Sequence, residues 1–64
     1  MKKKDLNKNI LFKKVRYKKD NKIYILSEYT KNFFAKNNCK LFDPENYNIF
    51  WVNNKDIEII EKES

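Results

Sequence analysis

The sequence predicts an all-β domain, on three observations. The longest apolar runs, Ile23–Leu26 and Ile49–Val52, are only four residues. The apolar runs are rich in Ile, Val, Phe and Tyr, which suit a pleated, half-buried surface. Clusters of Asn and Asp separate them, as turns separate strands. Helical spacing is sustained nowhere for three turns. At 64 residues the chain is one small domain, which buries only about 60% of the surface its unfolded form exposes. Ten aromatic residues (five Phe, four Tyr and Trp51) give such a core large apolar area per residue.

The first hairpin follows from Asp20-Asn21, which sits between two alternating segments. Both residue types tolerate the left-handed backbone of a two-residue turn. With these as the turn, Lys19 faces Lys22, Tyr17 faces Tyr24, Val15 faces Leu26 and Lys13 faces Glu28. One face then carries Val15, Tyr17, Tyr24 and Leu26 toward the core. The other carries Lys14, Arg16 and Lys18 with Phe12, Ile23, Ile25 and Tyr29. The second strand starts apolar on both parities, as expected where a strand bends to serve two sheets. Residues 31–38 are expected as a loop, with Phe33-Phe34 either tucked beneath it or exposed. Cys39–Phe42 is a third strand. Asp43-Pro44-Glu45-Asn46 has the residues of a type I turn. Ile49–Val52 is a fourth strand, Asn53-Asn54-Lys55-Asp56 a tight turn, and Ile57–Ile60 a fifth strand. Residues 1–9 read as a basic arm, 10–60 as the barrel, and 61–64 as a polar tail.

Five short strands, one long and bent, with a one-turn break before a brief last strand, resemble the SH3-like barrel class. The segment Trp51-Val52-Asn53-Asn54-Lys55-Asp56-Ile57-Glu58-Ile59-Ile60 carries this resemblance most clearly: strand, single helical turn, strand. It implies a five-stranded antiparallel barrel over roughly residues 10–60. The chain departs from the proline-peptide-binding SH3 family, lacking its Ala-Leu-Tyr-Asp-Tyr stretch and paired Trp. It also lacks the central Gly of the ribosomal KOW motif, so neither family's ligand site carries over. An OB-like barrel is the alternative.

Composition excludes most chemistry. The chain has no His, no Gly, one Pro and one Cys. Without His there is no Ser/His or Cys/His pair and no ordinary zinc or haem site. Without Gly there is no phosphate-cradling loop, and with one Cys no internal disulfide. Cys39 reads as a small buried hydrophobe. Asp43 and Glu45 flank a Pro turn, which accounts for the Asp without catalysis. The expectation is a non-enzymatic protein with no cofactor, no metal and no small-molecule substrate. The apolar run after Lys2, Lys3 and Lys4 is only Ile10-Leu11-Phe12, too short for a secretory signal. No run approaches the ~20 residues that span a bilayer, so a cytoplasmic location without membrane contact is expected.

The charge is +6, and it is polarised. Residues 1–22 carry net +8 and residues 23–64 net −2. Lys, Asn and Ile make up 31 of 64 residues, which suggests AT-rich coding and a share of lysine due to mutational bias. Such bias does not polarise a chain. Lys14, Arg16 and Lys18 alternate along one strand, roughly 7 Å apart on one face. With Phe12 and Tyr29 they make either a surface for phosphates and bases or a solvated sheet face. Lys2, Lys3, Lys4 and Lys8 form an arm suited to nucleic acid or an acidic protein. Trp51, Tyr17, Tyr24 and Tyr47 form either a cation cage or, more simply, core. Phe33 and Phe34 are adjacent in a loop, so both cannot fill one core site, and one is a candidate contact.

The leading expectation is therefore a stoichiometric binder of nucleic acid or a nucleoprotein. The alternative is a protein-interaction module or inhibitor. In size, coding and lack of enzyme signature the chain resembles small accessory proteins of bacteriophages and mobile elements, anti-CRISPR proteins among them. That resemblance implies a host machine as partner. Its oligomeric state is left open.

Overall fold

The computed structural model describes residues 1–60, so the polar tail at 61–64 lies outside the described residues. Five strands form one antiparallel sheet: β1 (Lys14–Tyr17), β2 (Lys22–Tyr29), β3 (Cys39–Phe42), β4 (Ile49–Val52) and β5 (Ile57–Ile59). Their spatial order is β4-β3-β2-β1-β5, a meander whose last strand returns to the first. Three 3-10 turns complete the fold, at Lys3–Asp5, Lys8–Ile10 and Asn54–Asp56. Among the described residues no helix is long and apolar enough to cross a membrane.

The sheet curls over its own core. β1 and β4 lie three strands apart, about 14 Å in a flat sheet. Yet the Tyr17 and Phe50 ring centroids are 5.8 Å apart. Tyr24 joins them edge-on at 6.2 and 5.1 Å, a geometry aromatic quadrupoles favour. Leu6, Val15, Leu26, Cys39, Leu41 and Ile57 are fully buried around this cluster. The bend falls in β2, where pairing with β3 shifts between Leu26 and Glu28. Such a bulge adds a residue to one strand and sharpens its twist.

The first hairpin departs from the predicted register by two residues. Val15 pairs with Tyr24, Tyr17 with Lys22 and Lys14 with Ile25. A two-residue type I′ turn needs positive φ at both central positions. Asn21 has φ 62°, but Asp20 is not among the positive-φ residues. The connection is therefore four residues, 18–21, closed by the Asn21 N–H donating to the Tyr17 carbonyl at 2.7 Å. Asp20 accepts from the Lys22 N–H at 2.9 Å and from the Tyr24 hydroxyl. That second bond pushes the Tyr24 hydroxyl up to about 12. Because the shift is even, Val15, Tyr24 and Leu26 still point inward, all buried. Glu28 sits opposite Lys40 and is ion-paired to it at 2.7 Å, in place of the expected Lys13 pairing.

Turn chemistry also differs at β3–β4. The Tyr47 N–H donates to the Asp43 carbonyl, four residues back, and Tyr47 has φ 63°. This is a five-residue turn ending in a left-handed residue, one residue longer than the Asp43–Asn46 stretch predicted, and loops of this length are most often built around a type I turn. Asp43 does cap it, accepting from the Glu45 N–H at 2.9 Å. Phe12 is the third residue at positive φ, 66°. Two of the three left-handed positions are thus aromatic, where the conformation costs roughly 1–2 kcal/mol.

The first nine residues are anchored to the sheet. Leu6 is fully buried and Ile10 nearly so. The Met1 nitrogen donates to the Ile57 carbonyl at 2.6 Å, and Asn54 Nδ2 donates to the Met1 carbonyl at 2.7 Å. The predicted arm therefore runs as two 3-10 turns against β5 and the turn before it.

Candidate nucleic-acid interface

Asparagine builds the floor of the site. Asn38 ends the β2–β3 loop and Asn54 opens the 3-10 turn between β4 and β5, and both are buried. Asn38 Nδ2 donates to Asn54 Oδ1, and the Asn54 backbone N–H donates back to Asn38 Oδ1, each at 2.8 Å. The neighbouring Asn53 caps the same turn, accepting from the Lys55 N–H at 2.9 Å, while its Nδ2 donates to the Lys36 carbonyl at 2.6 Å. A buried amide satisfied in both directions holds two loops in one arrangement. With Met1 tied to Asn54, three chain segments meet here.

A cleft of 480 Å³ opens above that floor, lined by Met1, Lys2, Lys3, Ala35, Lys55 and the three asparagines. Lys2, Lys3 and Lys55 are exposed, and no ion pair among the described residues neutralises them. Lys3 Nζ also lies 5.6 Å from the centroid of the Phe33 ring. Phe33 and Phe34 occupy the middle of a turn closed by the Ala35 N–H donating to the Asn32 carbonyl. Asn32 Oδ1 stiffens it by accepting from the Phe34 N–H at 3.0 Å. The two rings pack edge to face at 5.4 Å and remain 81% and 89% exposed. Burying neither ring, the loop presents both beside the cleft's cations.

The predicted basic stripe is divided. Lys14 and Arg16 lie on β1, but Lys18 falls in the following turn. The Arg16 guanidinium donates to Glu58 on β5 and, at 2.5 Å, to Asn21 Oδ1. Glu58 is held below the usual carboxylate range chiefly by that Arg16 hydrogen bond. The stripe's most phosphate-suited member is thus already paired. Lys4 and Lys8 are exposed on the two N-terminal 3-10 turns. Phe12 is 72% exposed. Tyr29 packs against the core instead of facing out with Lys14, because the bulge at Ser27 reverses the parity of the residues after it. Tyr17 and Tyr24 belong to the core, while Trp51 and Tyr47 are exposed, so the four do not form a cage. The Trp51 ring carries Lys40 Nζ at 5.8 Å.

Lys55, Asn38, Asn53 and Asn54 complete the cleft and were not anticipated from sequence. The Asn53-Asn54-Lys55-Asp56 run reads as turn chemistry alone, since its partner Asn38 lies 16 residues away. Among the described residues no three His, Cys, Asp or Glu side chains are placed to hold a metal. Comparison with protein-family models, curated proteins and solved structures gives no match.

Proposed function

We propose that the chain is a non-enzymatic, cytoplasmic binding module built on an SH3-like barrel, which engages nucleic acid or a nucleoprotein through its N-terminal basic segment. The return of β5 to β1 and the single 3-10 turn between β4 and β5 support that barrel over an OB-like one. One observation carries the functional reading: Lys2, Lys3 and Lys55, which form no ion pair among the described residues, surround one cleft, and Lys3 joins them to the exposed Phe33-Phe34 pair. Cations that follow a phosphate backbone beside aromatic rings on which bases stack are the recurring means of holding single strands. Contacts of this kind read no particular base.

The test is anisotropy of short mixed-sequence single strands across a salt series. Each phosphate neutralised contributes a salt slope of about −0.7 on a single strand. Reversing Lys2, Lys3 and Lys55 to Glu should flatten the slope by about 2. Phe33→Ala or Phe34→Ala should weaken binding by about 1–3 kcal/mol with the slope unchanged. Arg16→Ala, already paired to Glu58, should be nearly silent. No detectable binding at low salt would overturn the proposal.

The Phe33-Phe34 pair also favours a second reading, a protein-interaction module or inhibitor of a host machine, as in small phage accessory proteins. Two exposed aromatics on a stiff loop suit a hot-spot anchor. A partner retained from lysate after nuclease treatment, and lost on Phe33→Ala, would decide for it.

A further inference from the structure

Among the described residues β4 pairs with β3 alone and is an edge of the sheet, and we propose that a second copy of this chain covers it, pairing β4 with β4 antiparallel about a two-fold axis at Phe50. The Asp43 N–H donates to the Asn48 carbonyl, so this is a hydrogen-bonded pair of the β3–β4 ladder. Alternation then makes Leu41/Phe50 and Cys39/Val52 bonded pairs too, and turns the N–H and C=O of Ile49 and Trp51 outward. Two-fold pairing centred on Phe50 sets Ile49 opposite Trp51 of the second copy. All four outward groups of each strand are then satisfied in one register. The same register places Ile49 against the second Trp51 on the outer face, in a pair of the type that stabilises sheets.

Exposure and charge both point to a like copy. Ile49 is 58% exposed, Trp51 41% and the adjoining Tyr47 75%. Exposed edges are normally blunted by lysine, proline or a bulge, and β4 has none. Residues 46–54 are uncharged, the longest such run in a chain that is 38% charged. A molecule of net +6 meets its own copy at lowest repulsion across that run. An acidic peptide or a nucleic acid would find no cation on β4 itself. Lys40 stands over Trp51 from the β3 side, ion-paired to Glu28. The opposite edge, β5, is three residues long and presents Glu58.

Sedimentation equilibrium of the nuclease-treated full chain should give twice its 7.9 kDa mass. Ile49→Lys and Trp51→Lys should each return it to one chain with an unchanged circular dichroism spectrum. Because either substitution can disturb folding, the wild-type chain carries a second measurement. In a mixed labelled and unlabelled sample, isotope-filtered nuclear Overhauser contacts should join Ile49 of one copy to Trp51 of the other. A single-chain mass up to sub-millimolar concentration overturns the proposal. So does a dimer that persists in both folded variants, or one whose intermolecular contacts fall on β5. Dimer formation is independent of the basic cleft, so reversal of Lys2, Lys3 and Lys55 should leave the mass unchanged.

Discussion

Cys39 shows how a single side chain registers its surroundings. Its thiol is fully buried, and desolvation pushes it up to about 11 from an ordinary 9.0. The folded state therefore favours the neutral thiol more strongly than the unfolded chain does. The linked stability is complete below pH 9 and is lost as the pH rises through about 11. Urea midpoints measured across that window should fall, by on the order of 2 kcal/mol of stability from Cys39, to which the raised Tyr24 hydroxyl adds its own loss as the pH passes 10. In Cys39→Ala the Cys39 share of the loss should vanish while the share from Tyr24 remains. A Cys39 that reacts freely with thiol reagents in the folded protein at pH 8 would contradict the burial itself.

Between elements, the Asn38–Asn54 pair does the work usually left to apolar contacts. It joins the β2–β3 loop to the 3-10 turn, and through the Met1 carbonyl it reaches the N-terminal segment. Asn38→Ala would strand the Asn54 backbone N–H and side-chain oxygen in a buried site, at about 1–3 kcal/mol for each unsatisfied group. We expect at least about 2 kcal/mol of lost stability, read as a lower urea midpoint at unchanged m value. The cleft should also loosen, so the proposed nucleic-acid binding should weaken more than the melting temperature suggests. The β1–β2 register has its own check. Cross-strand Overhauser contacts should join Val15 to Tyr24 and Tyr17 to Lys22, and contacts of Val15 to Leu26 as direct partners would refute the four-residue turn.

For the whole molecule, the N-terminal segment belongs to the core as much as any strand. A domain this small has a few kcal/mol to spare, so each fully buried leucine is a large share of its stability. Leu6→Ala should cost about 2–4 kcal/mol by lost transfer energy and the cavity left behind. Thermal denaturation followed by circular dichroism would measure it. An unchanged transition would mean that residues 1–9 hang free. The docking also assembles the cleft on which the proposed function rests, because it carries Lys2 and Lys3 to Lys55 and Phe33. The aromatic pair and three of the chain's lysines therefore share a surface. Their effects on binding separate by salt dependence, since stacking is insensitive to the counterions that lysines release.

Strand identity is local chemistry, and it is legible in the residues alone. Short β-branched and aromatic runs between Asn clusters mark five strands, and β3 and β4 lie where those runs lie. The inward set of the first hairpin also follows from alternation, which survives a register shift of two. What alternation cannot supply is the distance a turn consumes: φ at Asp20 and Asn21 settles whether two or four residues close it. Nor can it foresee the bulge after Leu26, which turns Tyr29 inward through a mismatch of pairing with β3. The cleft depends wholly on tertiary structure. Its lysines come from residues 2, 3 and 55, and its floor from Asn38, Asn53 and Asn54. Only the closure of long loops brings these together. Polar residues so far apart leave no periodic signal, whereas apolar residues repeat with the period of the strand that buries them.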